Sequence, residues 1–119
     1  MREKAFVEEQ LYNYERIGCI KRVKTKPEIV LPLSVVFSNK MRLIVDGSRN
    51  LNPFIEERKV KLSHLAVANE TLTPGCFMTT CDLESGYHQI PINKRHQTYL
   101  GIAWEMNGRK VYFLSLIHI

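Results

Sequence analysis

Phe77-Met-Thr-Thr-Cys-Asp-Leu-Glu-Ser-Gly-Tyr-His-Gln-Ile-Pro-Ile92 is the stretch on which the reading of this chain turns. The run Cys76–Leu83, which overlaps its start, is mostly apolar or small and suits a buried strand that delivers the carboxylate of Asp82 near its carboxyl end. Only two aspartates occur in the 119 residues, Asp46 and Asp82, and each closes a β-rich run. A carboxylate at a strand end is open to water and to a divalent cation, whereas one facing a core would be costly to bury. The same placement also suits a plain turn aspartate, whose side chain bonds to the backbone just ahead of it.

Upstream, Ile29-Val-Leu-Pro-Leu-Ser-Val-Val-Phe37 and Met41-Arg-Leu-Ile-Val-Asp46 flank Ser38-Asn39-Lys40, which predicts two strands joined by a tight polar turn. Residues 4–17 carry Phe6, Val7, Leu11, Tyr14 and Ile17 at helical spacing, with Gly18 where a left-handed cap would fall. Residues 19–27 are short, basic and closed by Pro27, and read as an exposed extended stretch or loop. Residues 50–58 should be irregular. A helix is expected from Ser63 as N-cap to Leu72, ended by Pro74-Gly75, with Leu65, Ala68 and Leu72 on one face. Downstream, Thr98-Tyr-Leu-Gly-Ile-Ala-Trp104 and Lys110-Val-Tyr-Phe-Leu114 flank Asn107-Gly108, a strong two-residue hairpin signal. Trp104, Tyr99, Tyr112 and Phe113 should serve mainly in packing. Helices and strands mix without βαβ alternation, so the fold class is α+β.

Composition narrows the function. One domain or part of one fits in 119 residues, and 45% hydrophobic with 24% charged residues excludes disordered and collagen-like chains. No run approaches the ~18 apolar residues of a membrane span, and the acidic amino-terminal stretch does not resemble a signal peptide. The expectation is an intracellular chain without a membrane partner, in cytoplasm or nucleus. The formal charge is +5. Residues 1–65 hold 13 basic and 8 acidic side chains, against 4 and 4 in the remainder. A polyanion is the natural partner of such a segment, although a solvated basic face would show the same count. The three cysteines, Cys19, Cys76 and Cys81, have no C-x-x-C spacing and argue against a disulfide framework. A metal site from Cys76, Cys81 and His88 matches no ligand template.

Taken together, the stretch at 77–92 resembles the first catalytic motif of reverse transcriptases, most closely those of retrotransposons. Leu31-Pro-Leu33 and Lys40-Met-Arg-Leu-Ile-Val-Asp-Gly-Ser-Arg-Asn-Leu-Asn52 are similar to the family's preceding fingers motifs. Gln97-Thr-Tyr-Leu-Gly-Ile-Ala-Trp104 and Val111-Tyr-Phe113 are similar to the strands leading to its next motif. Several motifs in the family's order, over about residues 15–114, are more specific than any one of them. The resemblance implies a fingers segment (1–58), the start of a palm (59–92), a return to the fingers (93–114) and a non-native tail (115–119), cut short before the second catalytic motif.

It also implies roles. Asp82 would be the catalytic metal ligand for Mg²⁺, Leu83 would add its main-chain carbonyl, and the ions would activate a primer hydroxyl and neutralise a triphosphate. Tyr87 would stack under the deoxyribose as a sugar gate. Arg42, with Lys40 beside it, would grip the triphosphate through paired donors. The partners would be an RNA or DNA template-primer and deoxynucleoside triphosphates. Asp46 and Arg49 are expected to stabilise the hairpin and following turn. The family draws further carboxylates from a Tyr-x-Asp-Asp turn, and this chain has no third aspartate, with Glu84 and Glu105 wrongly spaced to substitute. The chain alone is therefore expected to be inactive as an RNA-directed DNA polymerase, the alternative being a non-catalytic basic nucleic-acid-binding remnant. An aspartic-protease half is dismissed, because in Leu43-Ile-Val-Asp-Gly-Ser48 glycine follows the aspartate directly.

Overall fold

The computed structural model describes residues 2–118. It has helices and strands mixed, as the α+β reading requires, in two sheets. Helix α1 spans Arg2–Arg16 and buries Val7 and Leu11. It ends where expected: Gly18 takes φ +81°, the Cys19 N–H donates to the Tyr14 carbonyl at 2.8 Å, and the Gly18 N–H donates to that of Glu15 at 3.2 Å. This is the paired Schellman closure, which a left-handed glycine makes possible.

The first sheet has the order β1-β6-β5-β2, from β1 (Ile20–Val23), β2 (Val30–Leu31), β5 (Gly101–Met106) and β6 (Arg109–Ser115). Hairpin β5–β6 turns through Asn107 and Gly108 at φ +52° and +73°, the primed geometry that Asn-Gly favours. Strand β2 pairs parallel with β5, so residues 24–29 cross the sheet to bring the chain from one edge to the other. The second sheet is the hairpin of β3 (Leu33–Phe37) and β4 (Met41–Val45), in register Phe37↔Met41 to Leu33↔Val45, as the polar turn at 38–40 predicts.

One face of the four-stranded sheet carries the core. Ile20, Ile102 and Phe113 pack with Val7 and Leu11 of α1, and Leu33, Val35, Leu43 and Val45 close over them from the hairpin. Tyr14 lies in the same packing, and its hydroxyl is pushed up in pKa by burial and by the neighbouring Cys19; burial likewise pushes up the Cys19 thiol. Both groups are thus held neutral in the fold. Their contribution to stability is complete below the thiol's unfolded value and is lost as pH rises through the folded ones. Thermal stability should fall above about pH 8.5–9, where these groups begin to ionise in the unfolded chain. Cys19→Ala should remove the first part of that fall, and an unchanged profile in the variant would refute the assignment.

Several expectations need correction. Of the two readings of residues 19–27, the extended one holds for 20–23, which form edge strand β1 on β6. The basic side chains that suggested a loop also suit an edge, where charge blocks further pairing. The expected strand at 98–104 begins only at Gly101, since Gln97–Tyr99 forms a 3-10 turn. Ser63 does not cap the second helix. Helix α2 covers Leu65–Thr71 with His64 at the cap position, without a side-chain cap bond. Its supposed inner face is largely uncovered, with Leu65 81% exposed. The strand expected at 76–83 is not formed, and Phe77 is 103% exposed. A strand needs a neighbour for its N–H and C=O groups, and none of the described strands lies beside this one.

Residues 115–118 are part of the packed structure. Ser115 is buried, the Leu116 N–H donates to the Cys19 carbonyl at 2.9 Å, and Pro91 bridges to Ile117. No helix among the described residues is long and apolar enough to cross a membrane.

Candidate functional site

Lys40 and Arg42 sit on the β3–β4 hairpin. Lys40 belongs to its turn, and Arg42 pairs across from Val36 in β4. Alternation along β4 turns Met41, Leu43 and Val45 inward and leaves Arg42 and Ile44 on the outer, exposed face. Arg42 is thus held by a regular ladder with its guanidinium in solvent, a placement suited to a phosphate.

Asp46 follows β4 and accepts from the Ser48 backbone N–H at 2.9 Å. Bonding from Ser48, side chain first and then backbone, holds its carboxyl below the usual aspartate range, and the Arg49 charge adds to this. Asp46 is thus the turn aspartate, and the expected help from Arg49 acts through charge.

Asp82 and Leu83 lie in exposed irregular chain, with the Leu83 side chain 69% exposed. A tight turn follows, in which Ser85 adopts φ +50° and the Gln89 side-chain amide donates to the Glu84 carbonyl at 3.0 Å. Tyr87 stands on the 3-10 turn Gly86–Gln89, and its ring lies 5.1 Å from that of His118. Next to it, His88 meets Tyr14 of α1 edge-on at 5.2 Å. The Ile92 N–H donates to the Leu116 carbonyl, and that of His118 to Ile90. These contacts tie 86–92 to the helix end and to the residues that follow β6, while the carboxylate at 82 stands outside them.

Among the described residues no hydrogen bond or ion pair joins Asp82 to Lys40, Arg42 or Tyr87. Magnesium asks for near-octahedral oxygen coordination, usually from one or two carboxylates with water and substrate phosphates. No group of three or more His, Cys, Asp or Glu side chains converges among the described residues. One carboxylate and one neighbouring carbonyl do not make a two-ion site, so the residues present do not fit the pair of ions by themselves.

A cleft among the described residues lies elsewhere and was not legible in the sequence. It encloses about 730 Å³ between the segment 47–55, the segment 91–100 and the ends of β5 and β6, with His96, Tyr99, Asn93 and His118 among apolar neighbours such as Leu31, Phe54 and Ile102. None of the five residues singled out from sequence lines it. Loops far apart in the chain build it, so no local motif announces it. Also unforeseen is the position of Arg22, whose guanidinium lies 5.4 Å from the Phe113 ring centroid and 3.1 Å from Glu15. That arginine is shared between the Phe113 ring and an exposed ion pair with Glu15.

No known family model matches the sequence, and no curated protein matches it.

Proposed function

We propose that this chain is a fingers and early-palm portion of a retrotransposon reverse transcriptase, able to hold nucleic acid but unable to perform nucleotidyl transfer by itself. The ordered sequence motifs support this reading. The observation that carries it is the β3–β4 hairpin, which displays Arg42 on its ladder and Lys40 in its turn, both exposed to solvent. In the full catalytic assembly of such an enzyme these cations would meet the triphosphate, and Asp82 would supply one of the carboxylates for Mg²⁺. With Asp82 alone, two-metal displacement lacks the remaining ligands.

The test has two readouts. Fluorescence anisotropy with a labelled RNA–DNA primer-template should show binding at low salt that weakens steeply as salt rises. Replacing Lys40 and Arg42 by alanine should weaken it and flatten the salt slope by about 0.7–0.9 per lost phosphate contact. Absence of binding at low salt would remove the reading. Primer extension with Mg²⁺ and four deoxynucleotides should give no product, and template-dependent extension abolished by Asp82→Ala would overturn the stated inactivity.

A further inference from the structure

The four-stranded sheet has a second face, turned away from the core. Strand register assigns it without ambiguity: Lys21, Leu114 and Gly101 form one row, Val23, Tyr112 and Ala103 the next, and Lys110 with Glu105 a third. None of these side chains belongs to the packed cluster on the opposite face. The crossover at 24–29 runs over one end of this face, because a Cβ at Gly101 would strike Pro27 and the Ile29 carbonyl, and Pro27 is buried there. Lys24 and Lys26 on that strap are exposed. Lys21 and Lys110 are exposed as well, and no salt bridge among the described residues engages any of the four lysines. The acidic groups on this side are Glu28 of the strap and Glu105 opposite Lys110.

Tyr112 stands in the middle of the charge. Lys110 is two residues along the same strand, roughly 7 Å away, and Lys21 is a diagonal neighbour on the next strand at roughly 8 Å. Tyr112 is partly exposed, and an accessible aromatic ring flanked by cations can hold a base by stacking and its phosphates by charge. Duplexes hide their base faces and cannot use such a ring. We propose that the outer face of the sheet, with Tyr112 between Lys21, Lys24, Lys26 and Lys110, binds single-stranded nucleic acid. The proposal rests on the nucleic-acid reading above but names a face distinct from the Lys40–Arg42 hairpin.

The test uses a labelled oligouridylate and the whole chain at low salt. Combined reversal of Lys21, Lys24 and Lys110 to glutamate should lower affinity at least tenfold and reduce the salt slope by about 2. Glu105→Gln should tighten binding. Photo-crosslinking with 5-iodouridine should map to Tyr112. Tyr112→Phe should retain affinity, and Tyr112→Ala should lose about 5- to 150-fold, the range of one base stacked on an aromatic ring. Because that ring is partly packed, circular dichroism must show the alanine variant folded; if it is not, the lysine reversals and the crosslink decide. Binding unaffected by the three reversals, or a crosslink mapped elsewhere, overturns the proposal. So does preference for anionic phospholipid vesicles over the oligonucleotide. If primer-template binds and oligouridylate does not, this inference fails and the hairpin reading stands; if neither binds, both fail.

Discussion

Gly101→Ala should abolish cooperative folding or lower the melting temperature by more than any surface change in this chain. A Cβ on residue 101 would lie 2.4 Å from the Ile29 carbonyl oxygen and 2.4 Å from Cβ of Pro27. Neither neighbour is a flexible side-chain end. The Ile29 oxygen is backbone and accepts the Gly101 N–H at 3.1 Å, and Pro27 is a buried ring. Relief therefore requires moving the crossover at 24–29 away from β5, which breaks the short parallel pair Val30↔Gly101 and Leu31↔Ile102. Overpacking against side chains costs about 1–3 kcal/mol, and a clash with fixed backbone lies at or beyond the top of that range. With total stability of about 5–15 kcal/mol for a domain, the melting transition should fall by more than about 10 °C. Calorimetry of both proteins checks this. A variant melting within a few degrees of the parent would show that the strap does not press on the sheet.

Where local rules suffice, the sequence foretells the fold. The 38–40 turn and the Asn107-Gly108 pair each name a hairpin because turn chemistry is read from adjacent residues, and both hairpins form. Helix α1 is announced by its 3.6-residue period and stopped by Gly18. Strand β1 is only half legible, because its lysine and arginine suit an extended stretch or a loop alike, and pairing with β6, some ninety residues on, makes it a strand. The stretch at 76–83 fails in the opposite sense. Its residues favour a strand, yet strand formation is a property of two segments, and no described segment supplies the second.

The same division runs through the candidate site. Arg42 and Lys40 could be placed on a solvent-facing hairpin from sequence because the hairpin is local. Asp82 could not, since its delivery depends on the strand that does not form. The cleft with His96 and His118 and the outer-face cluster around Tyr112 join residues from distant parts of the chain. Tyr112 is instructive: in the sequence it reads as a packing aromatic beside Phe113, and only the register separates the two, placing Phe113 in the core and Tyr112 on the other face. A period of two guarantees that neighbours in a strand part company, but not which of them faces in.

Phe113→Ala should cost about 3–5 kcal/mol, the usual range for deleting a buried phenyl ring. Phe113 is 0% exposed and lies opposite Ile102 on β5 and Arg22 on β1, beneath the helix residues Val7 and Leu11. Among the described residues the buried core cluster contains five apolar residues, so this ring is a large share of what holds α1 to the sheet. Its loss also strips Arg22 of the ring it lies over and leaves the exposed Glu15 pair to hold that side chain, which is worth at most about 1 kcal/mol. The helix end should therefore loosen together with β1, and with it the Tyr14–His88 contact that anchors residues 86–92. A melting temperature lowered by roughly 10–25 °C is expected, with faster amide exchange in α1 and β1 than in the distal β3–β4 turn. Phe113→Leu keeps most of the volume and should cost less than about 1.5 kcal/mol. Equal losses for leucine and alanine would mean that the ring is not packed as described, and the placement of the core on this face of the sheet would have to be abandoned.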